Sequence, residues 1–329
     1  MSTAVEIIKA LVSPANKLID SVTAAIGKAY QPRHVRKMAE AKAHEIELVS
    51  KAMRENADVP IVYAKGEISV STTDFDEFVK RAQSRLAFQE LQKQQNIESV
   101  ADKAYEILTE VSECSSEPVS QDWITRFFNS VEDISNEFMQ SIWANILAGE
   151  VIRPKTYSLR TLEILKNISQ DEAELFERVA PLACTLHGDV FFTSNMEILN
   201  KFGVYYDDIL ILDECGLINS DGMISLNPEI SSTDPIIIHN NTYLLKVRGA
   251  KEKNKISFGV FAFTKVGKEL YSILHINSDD KYISDFADEV EKNNSGNVLI
   301  TLHKINANNN DKIDYDESIL KTIPVKQSV

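Results

Sequence analysis

Between Ser141 and Leu182 the chain reads SIWANILAGEVIRPKTYSLRTLEILKNISQDEAELFERVAPL. Apolar residues recur there every three or four positions, the period of an amphipathic helix. The run is also cut at definite places. Gly149 ends the first regular stretch, and Pro154 forbids simple continuation because it lacks an N–H and its ring clashes with the preceding turn. Ser158 stands where an N-cap would start LRTLEILKNI. Ser169 and Glu172 then have the spacing of a capping box ahead of AELFERVAPLACTL. The spacing therefore predicts three helices joined by tight turns. Phe138, Ile142 and Ile146 fall on one side of the first helix, with Trp143 and Leu147 beside them. Trp143, Ile146, Leu147 and Gly149 are the expected structural core. Gly149 to Tyr157 is read as the turn that folds the next helix back over Trp143. Burying such a ring contributes about 2–3 kcal/mol.

The same period runs through the first two thirds of the chain. In residues 3–30, Val5, Ile8, Leu11 and Val12 form one short apolar stripe, and Leu18, Ile19, Val22, Ala25 and Ile26 a second. Ser13-Pro14 marks a helix start between them. YQPRHVRKMAEAKAHEIELVSKAMRE predicts an Ala- and charge-rich helix. A long helical region follows, capped at Thr73 or Asp74, with a bend expected at the polar Gln92–Asn96 segment. SECSSEPVSQ is a loop by composition. SQDWITRFFNSVEDI then precedes the helix of Trp143.

Past Phe191 the pattern changes. SNMEILNKFG and YYDDILILDECGLI read as short helices. MISLNP, PIIIHNNTYLLKVRG and KISFGVFAFT alternate and are β-branched, as strands are. TKVGKELYSIL returns to helix. The tail holds a helix, DKYISDFADEV, a strand, NVLITLHKI, and an edge strand near ILKTIPV. The expected fold class is α+β, mainly α. A helical N-terminal two thirds is followed by a winged-helix-like α/β part with a small antiparallel sheet. The expected divisions are 1–60, 61–190, 191–276 and 277–329.

Charge narrows the partners. The 329 residues carry a formal net charge of −14. Residues 1–54 hold nine basic and five acidic side chains, a balance of +4, so the remainder carries −18. Such a surface repels duplex nucleic acid unless a local basic patch overrides it. The helix that would enter a groove, YYDDILILDECGLI, holds Asp207, Asp208, Asp213 and Glu214 and no cation, so specific DNA binding is not expected. The alternative nucleic-acid strip is Lys246, Arg248, Lys251, Lys253 and Lys255. Cys114, Cys184 and Cys215 are few and odd in number, which argues against a disulfide framework and for a reducing compartment. No apolar run of membrane-spanning length is present, and the start does not have the pattern of a signal peptide.

Motifs with chemistry are incomplete. Cys184, His187 and Asp189 have metal-ligand types but no second pair, and the bland reading is a buried Cys near a helix end. NANNNDKIDYDE mimics a calcium loop, but Asp311 stands where the sharp-turn Gly belongs. GVFAFTKVGKE lacks P-loop spacing. Glu150 and Arg153 are read as a structural pair, since no nucleophile accompanies them. No catalytic residue, metal site or cofactor is expected.

RLAFQELQKQQNIESVADKAYEIL, DWITRFFNSVEDISNEFMQSIWANILAGEV and YSLRTLEILKNISQDEAELF resemble an uncharacterised bacterial domain-of-unknown-function family. Its marks are the Trp-Ala-x-Ile-Leu-Ala-Gly-Glu string and the Arg-Thr-Leu helix. The likeness covers roughly residues 1–290 and is strongest over 85–180. More loosely, the central helices are similar to alpha-type abortive-infection proteins of phage defence, although Pro154-Lys155 stands where Pro-Gly is expected. Neither resemblance implies catalytic residues.

The expected function is therefore that of a non-enzymatic interaction or regulatory protein, in phage defence or a stress response. It would act through a homo-oligomer or a protein partner in the cytoplasm. Val5, Ile8, Leu11, Leu18, Ile19 and Val22 are the expected interface. One alternative is a winged-helix nucleic-acid-binding regulator. The other is an effector peripheral to the inner membrane, using residues 3–37 on the membrane surface; small apolar residues without Trp or Phe speak for helix packing instead.

Overall fold

A computed structural model describes residues 13–26, 62–64, 67–69, 72–220, 224–252, 254–274, 276, 278–294, 297–309 and 312–323. The architecture is α+β and mainly α, in line with the sequence pattern. The chain divides into two compact units, Met1–Leu162 and Glu163–Val329.

The first unit is helical. Helix α1 (Pro14–Ile26) begins with Pro at its first position, where a missing N–H costs nothing. Strands β1 (Val62–Ala64) and β2 (Glu67–Ser69) pair antiparallel. They are followed by α2 (Thr72–Thr109), α3 (Gln121–Val131) and α4 (Glu137–Ile152). Ser120 caps α3 and Asn136 caps α4 through side-chain acceptors on Trp123 N and Met139 N. The core is Leu18, Val22, Val100, Ala104, Leu108, Ile124, Phe127, Trp143, Ile146 and Leu147, all at most 1% exposed.

Helix α2 is unbroken through Gln92–Asn96, where a bend was expected. The polar residues there are satisfied in place. Asn96 is buried and donates to Glu132 O at the end of α3 (2.9 Å), and Lys93 pairs with the Glu132 carboxylate (2.7 Å). Helix α4 also continues past Gly149, for three more residues.

Helix α5 (Leu159–Asn167) leads across the division. The second unit opens with α6 (Gln170–Val179), whose capping box is formed as expected: Ser169 Oγ accepts from Glu172 N, and the Glu172 carboxylate accepts from Ser169 N. The helix does not run on through ACTL. It tightens into a single 3-10 turn at Ala180–Leu182, because Pro181 cannot donate to the previous turn. Strands β3 (Cys184–Leu186) and β4 (Asp189–Thr193) follow as a hairpin. Its turn is His187-Gly188, both at positive φ (51° and 86°), the backbone that tight hairpins need. So Cys184 and His187 lie on a hairpin, not at a helix end.

Next come α7 (Met196–Lys201), α8 (Tyr206–Glu214), β5 (Ile218–Asn219), β6 (Ser225–Leu226), β7 (Glu229–Ile230), β8 (Ile236–His239), β9 (Tyr243–Gly249), β10 (Asn254–Lys255), β11 (Phe258–Phe263), α9 (Lys265–Tyr271), α10 (Asp280–Asn293), β12 (Val298–Asn309), β13 (Lys312–Tyr315) and β14 (Lys321–Ile323). The sheet is larger than the small one expected. Ten strands pair antiparallel in the order β13-β12-β9-β8-β3-β4-β11-β5, with β14 on β12 and β6 on β11. β12, read from sequence as part of a tail, pairs with β9 from Val298↔Gly249 to Lys304↔Tyr243. The apparent calcium loop is the β12–β13 hairpin, residues 310 and 311 of which lie outside the described residues.

Alternation along the strands sends neighbouring phenylalanines to opposite faces. Phe191 and Phe258 meet Phe286 of α10, with Phe258–Phe286 centroids 5.6 Å apart. Phe192, Phe261 and Phe263 form a second cluster that Phe176 of α6 joins at 5.6 Å.

Candidate functional site

The residues singled out around Trp143 form a closed structural joint. Trp143 is fully buried and meets Phe127 edge-on, centroids 5.4 Å apart. Its Nε1 has no hydrogen-bond partner. Gly149 does not end the helix; its bare Cα makes room for the Tyr157 ring. A Cβ on Gly149 would lie 2.7 Å from Tyr157 Oη and 2.8 Å from Cε2. Glu150, 1% exposed, holds the same turn from the other side. Its carboxylate accepts from Lys155 N (2.6 Å) and Tyr157 N (3.0 Å). Lys155 itself adopts a φ of 70°, and Trp123 Nε1 donates to Tyr157 O (2.9 Å). Thus Glu150 binds turn backbone, where a pairing with Arg153 was expected.

Lys17 closes the other end. It is 7% exposed, and its ammonium donates to Ser115 O (2.9 Å) and Val151 O (2.8 Å). Burial pulls its pKa down, while Cys114, Glu117 and Glu150 pull it back up. Lys17 and Glu150 thus hold backbone groups of α4 and of the turns beside it.

Two of the thiols have raised pKa values. Burial raises Cys184 to about 12. Burial, with Glu172 close by, raises Cys215 to about 12 as well. Neither is a thiolate near neutral pH. Among the described residues, no three His, Cys, Asp or Glu side chains converge as metal ligands. No described helix is long and apolar enough to cross a membrane.

The expected interface splits. Val5, Ile8 and Leu11 lie outside the described residues. Leu18 and Val22 are fully buried inside the first unit, and Ile19 is half-buried. α1 packs on α2, α3 and α4, so the body of the same chain takes this stripe, and Leu18 and Val22 offer no surface to a partner.

The basic strip is not continuous. Lys246 donates to Tyr315 Oη (3.0 Å) and lies over that ring. Arg248 and Lys251 are exposed, and Lys253 lies outside the described residues. Lys255 faces Glu229 at 3.6 Å. Beside them Glu229, Asp234 and Glu252 line one depression, which offsets the local positive charge.

Large apolar side chains are exposed on two helices: Phe78, Leu86, Phe88 and Leu91 on α2, at 53% exposure or more, and a second group on α8. Ile209 and Leu212 are completely buried and anchor the helix. Four large apolar or aromatic side chains at the same place face outward: Tyr205 and Tyr206 at 59% exposure, Leu210 at 45% and Ile211 at 39%. Two of the acids noted from sequence are used locally. Asp208 accepts from Tyr205 N (2.9 Å) and pairs with Arg178 (3.1 Å), and Asp213 accepts from Ser220 N (3.0 Å). Asp207 and Glu214 are exposed and, by helical spacing, lie between Leu210 and Ile211. Sequence reasoning weighed only the charge of this segment. The missed signal is the run Ile209-Leu210-Ile211-Leu212 after Tyr205-Tyr206. One helix face cannot bury four consecutive apolar residues.

A family model described as a protein of unknown function, DUF2806, matches residues 80–287. The chain belongs to the DUF2806 family. In this DUF2806 protein the matched span takes in the Trp143–Tyr157 joint and the whole of α8. No curated protein and no solved structure matches the chain.

Proposed function

We propose that this DUF2806 chain is a non-enzymatic interaction protein, and that α8 docks a segment of a partner protein with an apolar centre and basic flanks. The single observation that carries the reading is the exposed group Tyr205, Tyr206, Leu210 and Ile211 on a helix whose inner face is already filled. Tyrosines concentrate binding energy at interfaces because they bury much area with few rotors. Asp207 and Glu214, exposed on the same helix, select positive over negative partners. A setting in phage defence or a stress response rests on the sequence resemblance of the central helices.

The test uses two designed amphipathic helical peptides, one of Leu and Lys and one of Leu and Glu, with the full-length protein. The Leu–Lys peptide is expected to bind and the Leu–Glu peptide to fail. Tyr206→Ala and Leu210→Lys should each weaken binding at least tenfold without lowering the melting temperature. Equal binding of both peptides, or binding untouched by Leu210→Lys, would defeat the proposal.

A further inference from the structure

Apart from α8, the second unit contains a cleft of about 700 Å³ where the start of α10 meets the end of α7 and strands β9 and β12. Lys201, Phe202, Tyr243, Asp280, Lys281, Ser284, Asp285, Leu302, Lys304 and Leu320 line it. Three lysines converge there in a chain whose net charge is −14.

Their states differ. Lys201 is committed to Asp285 at 2.8 Å. Ser284 Oγ receives Lys321 Nζ at 2.7 Å. Lys281 and Lys304 are exposed, and among the described residues no hydrogen bond or ion pair holds either ammonium. Tyr243 stands directly across from Lys304 in the β9–β12 register. With Lys201 and Asp285 cancelling, two free ammoniums face one remaining carboxylate, Asp280, so the cleft has a net positive charge. The lining also holds apolar side chains, Phe202, Leu302 and Leu320, and Leu302 shares a face of β12 with Lys304. Phe202 is fixed by an edge-on contact with Tyr282, centroids 5.5 Å apart.

We infer that this cleft binds a small phosphomonoester with an aromatic or apolar body. Its volume suits a ligand of nucleotide size. Lysine ammoniums bind phosphate as point charges. Lys281 and Lys304 would take the phosphate, the Tyr243 hydroxyl would donate to it, and Phe202 and Leu302 would receive the body. No bond is made or broken. This site is separate from α8, and neither proposal depends on the other.

The experiment is calorimetric titration of the full-length protein with AMP and with phenyl phosphate. Adenosine, phenol and inorganic phosphate serve as the partial ligands. At least one phosphomonoester should bind at least tenfold more tightly than its uncharged counterpart and than inorganic phosphate. Affinity should fall as salt rises. The exposed-site variant Lys281→Ala/Lys304→Ala should lose at least tenfold in affinity at an unchanged melting temperature, and Phe202→Ala should weaken the aromatic ligand but not inorganic phosphate. Absence of binding by both phosphomonoesters at millimolar concentration would overturn the inference. So would binding that the double lysine variant leaves intact.

Discussion

The ring of Tyr157 rests on the backbone of Gly149, with no space between them for even a methyl group. That contact, and not a helix end, is why a glycine stands at position 149. Glu150 and Trp123 then hold the Tyr157 backbone from two sides, through Tyr157 N and Tyr157 O.

Gly149→Ala is therefore expected to destabilise the protein by about 1–3 kcal/mol, the usual cost of forcing an added methyl into a filled site. A double-mutant cycle with Tyr157→Ala checks the cause. Once the ring is gone the alanine should cost little. Equal cost in both backgrounds would place the strain elsewhere.

Trp143→Ala should cost about 3–5 kcal/mol through the cavity it leaves. Trp143→Phe should cost clearly less, because the ring it keeps leaves a smaller cavity; both variants shed the unpartnered indole N–H alike. Denaturant melts of the two variants give the comparison. Equal destabilisation would contradict the cavity as the source of the cost.

His239 supplies a pH dependence. It is half-buried in β8, and burial lowers its pKa below the ordinary 6.5 despite its contact with Asn240 O. As pH falls through 6.5 the unfolded imidazole takes up a proton before the folded one does. Stability should therefore decline from that point until the folded group also titrates. His239→Gln should flatten this part of the curve. The Glu172 carboxylate, whose pKa is lowered by its bond from Ser169 N, loses its contribution only at more acid pH, below its ordinary 4.5. A stability profile that is flat from pH 7 to 5.5 in the parent protein would contradict the assignment.

Binding of a random duplex should be no tighter than about 10⁻⁶ M at physiological salt and should show no sequence preference. The reason is the tying-up of Lys246 by Tyr315 and of Lys255 by Glu229. A salt series by fluorescence anisotropy measures it; a sequence-dependent shift that Arg248→Ala removes would contradict the expectation.

The helical part was legible in the sequence because its signals are local. The Ser169–Glu172 box and the apolar period around Trp143 need only a few neighbouring residues to act. Position 149 was noticed for the wrong reason. A glycine near a helix end reads as a stop, whereas its use here depends on a ring eight positions further on. The residues of β3 read as the end of a helix because Ala183, Cys184 and Leu186 continue an apolar pattern. Pro181 and the His187-Gly188 turn outweigh it, and the strands gain their partners from far along the chain. The α8 surface was legible in principle, since four apolar residues in a row exceed what one helix face can bury.

The pairing order of the sheet bears on how the chain is made. β3 and β4 close on each other as soon as both exist, yet the outer edge of β3 waits for His239 and that of β4 for Phe261. While the ribosome adds the intervening residues, the nascent hairpin carries two open edges, one of them on the strand of Phe191 and Phe192, and such edges template pairing with other chains. Closing them late also costs loop entropy before any contact repays it. The interval between Thr193 and Phe263 is thus the period in which slowed translation, or a missing chaperone, would do most harm to yield.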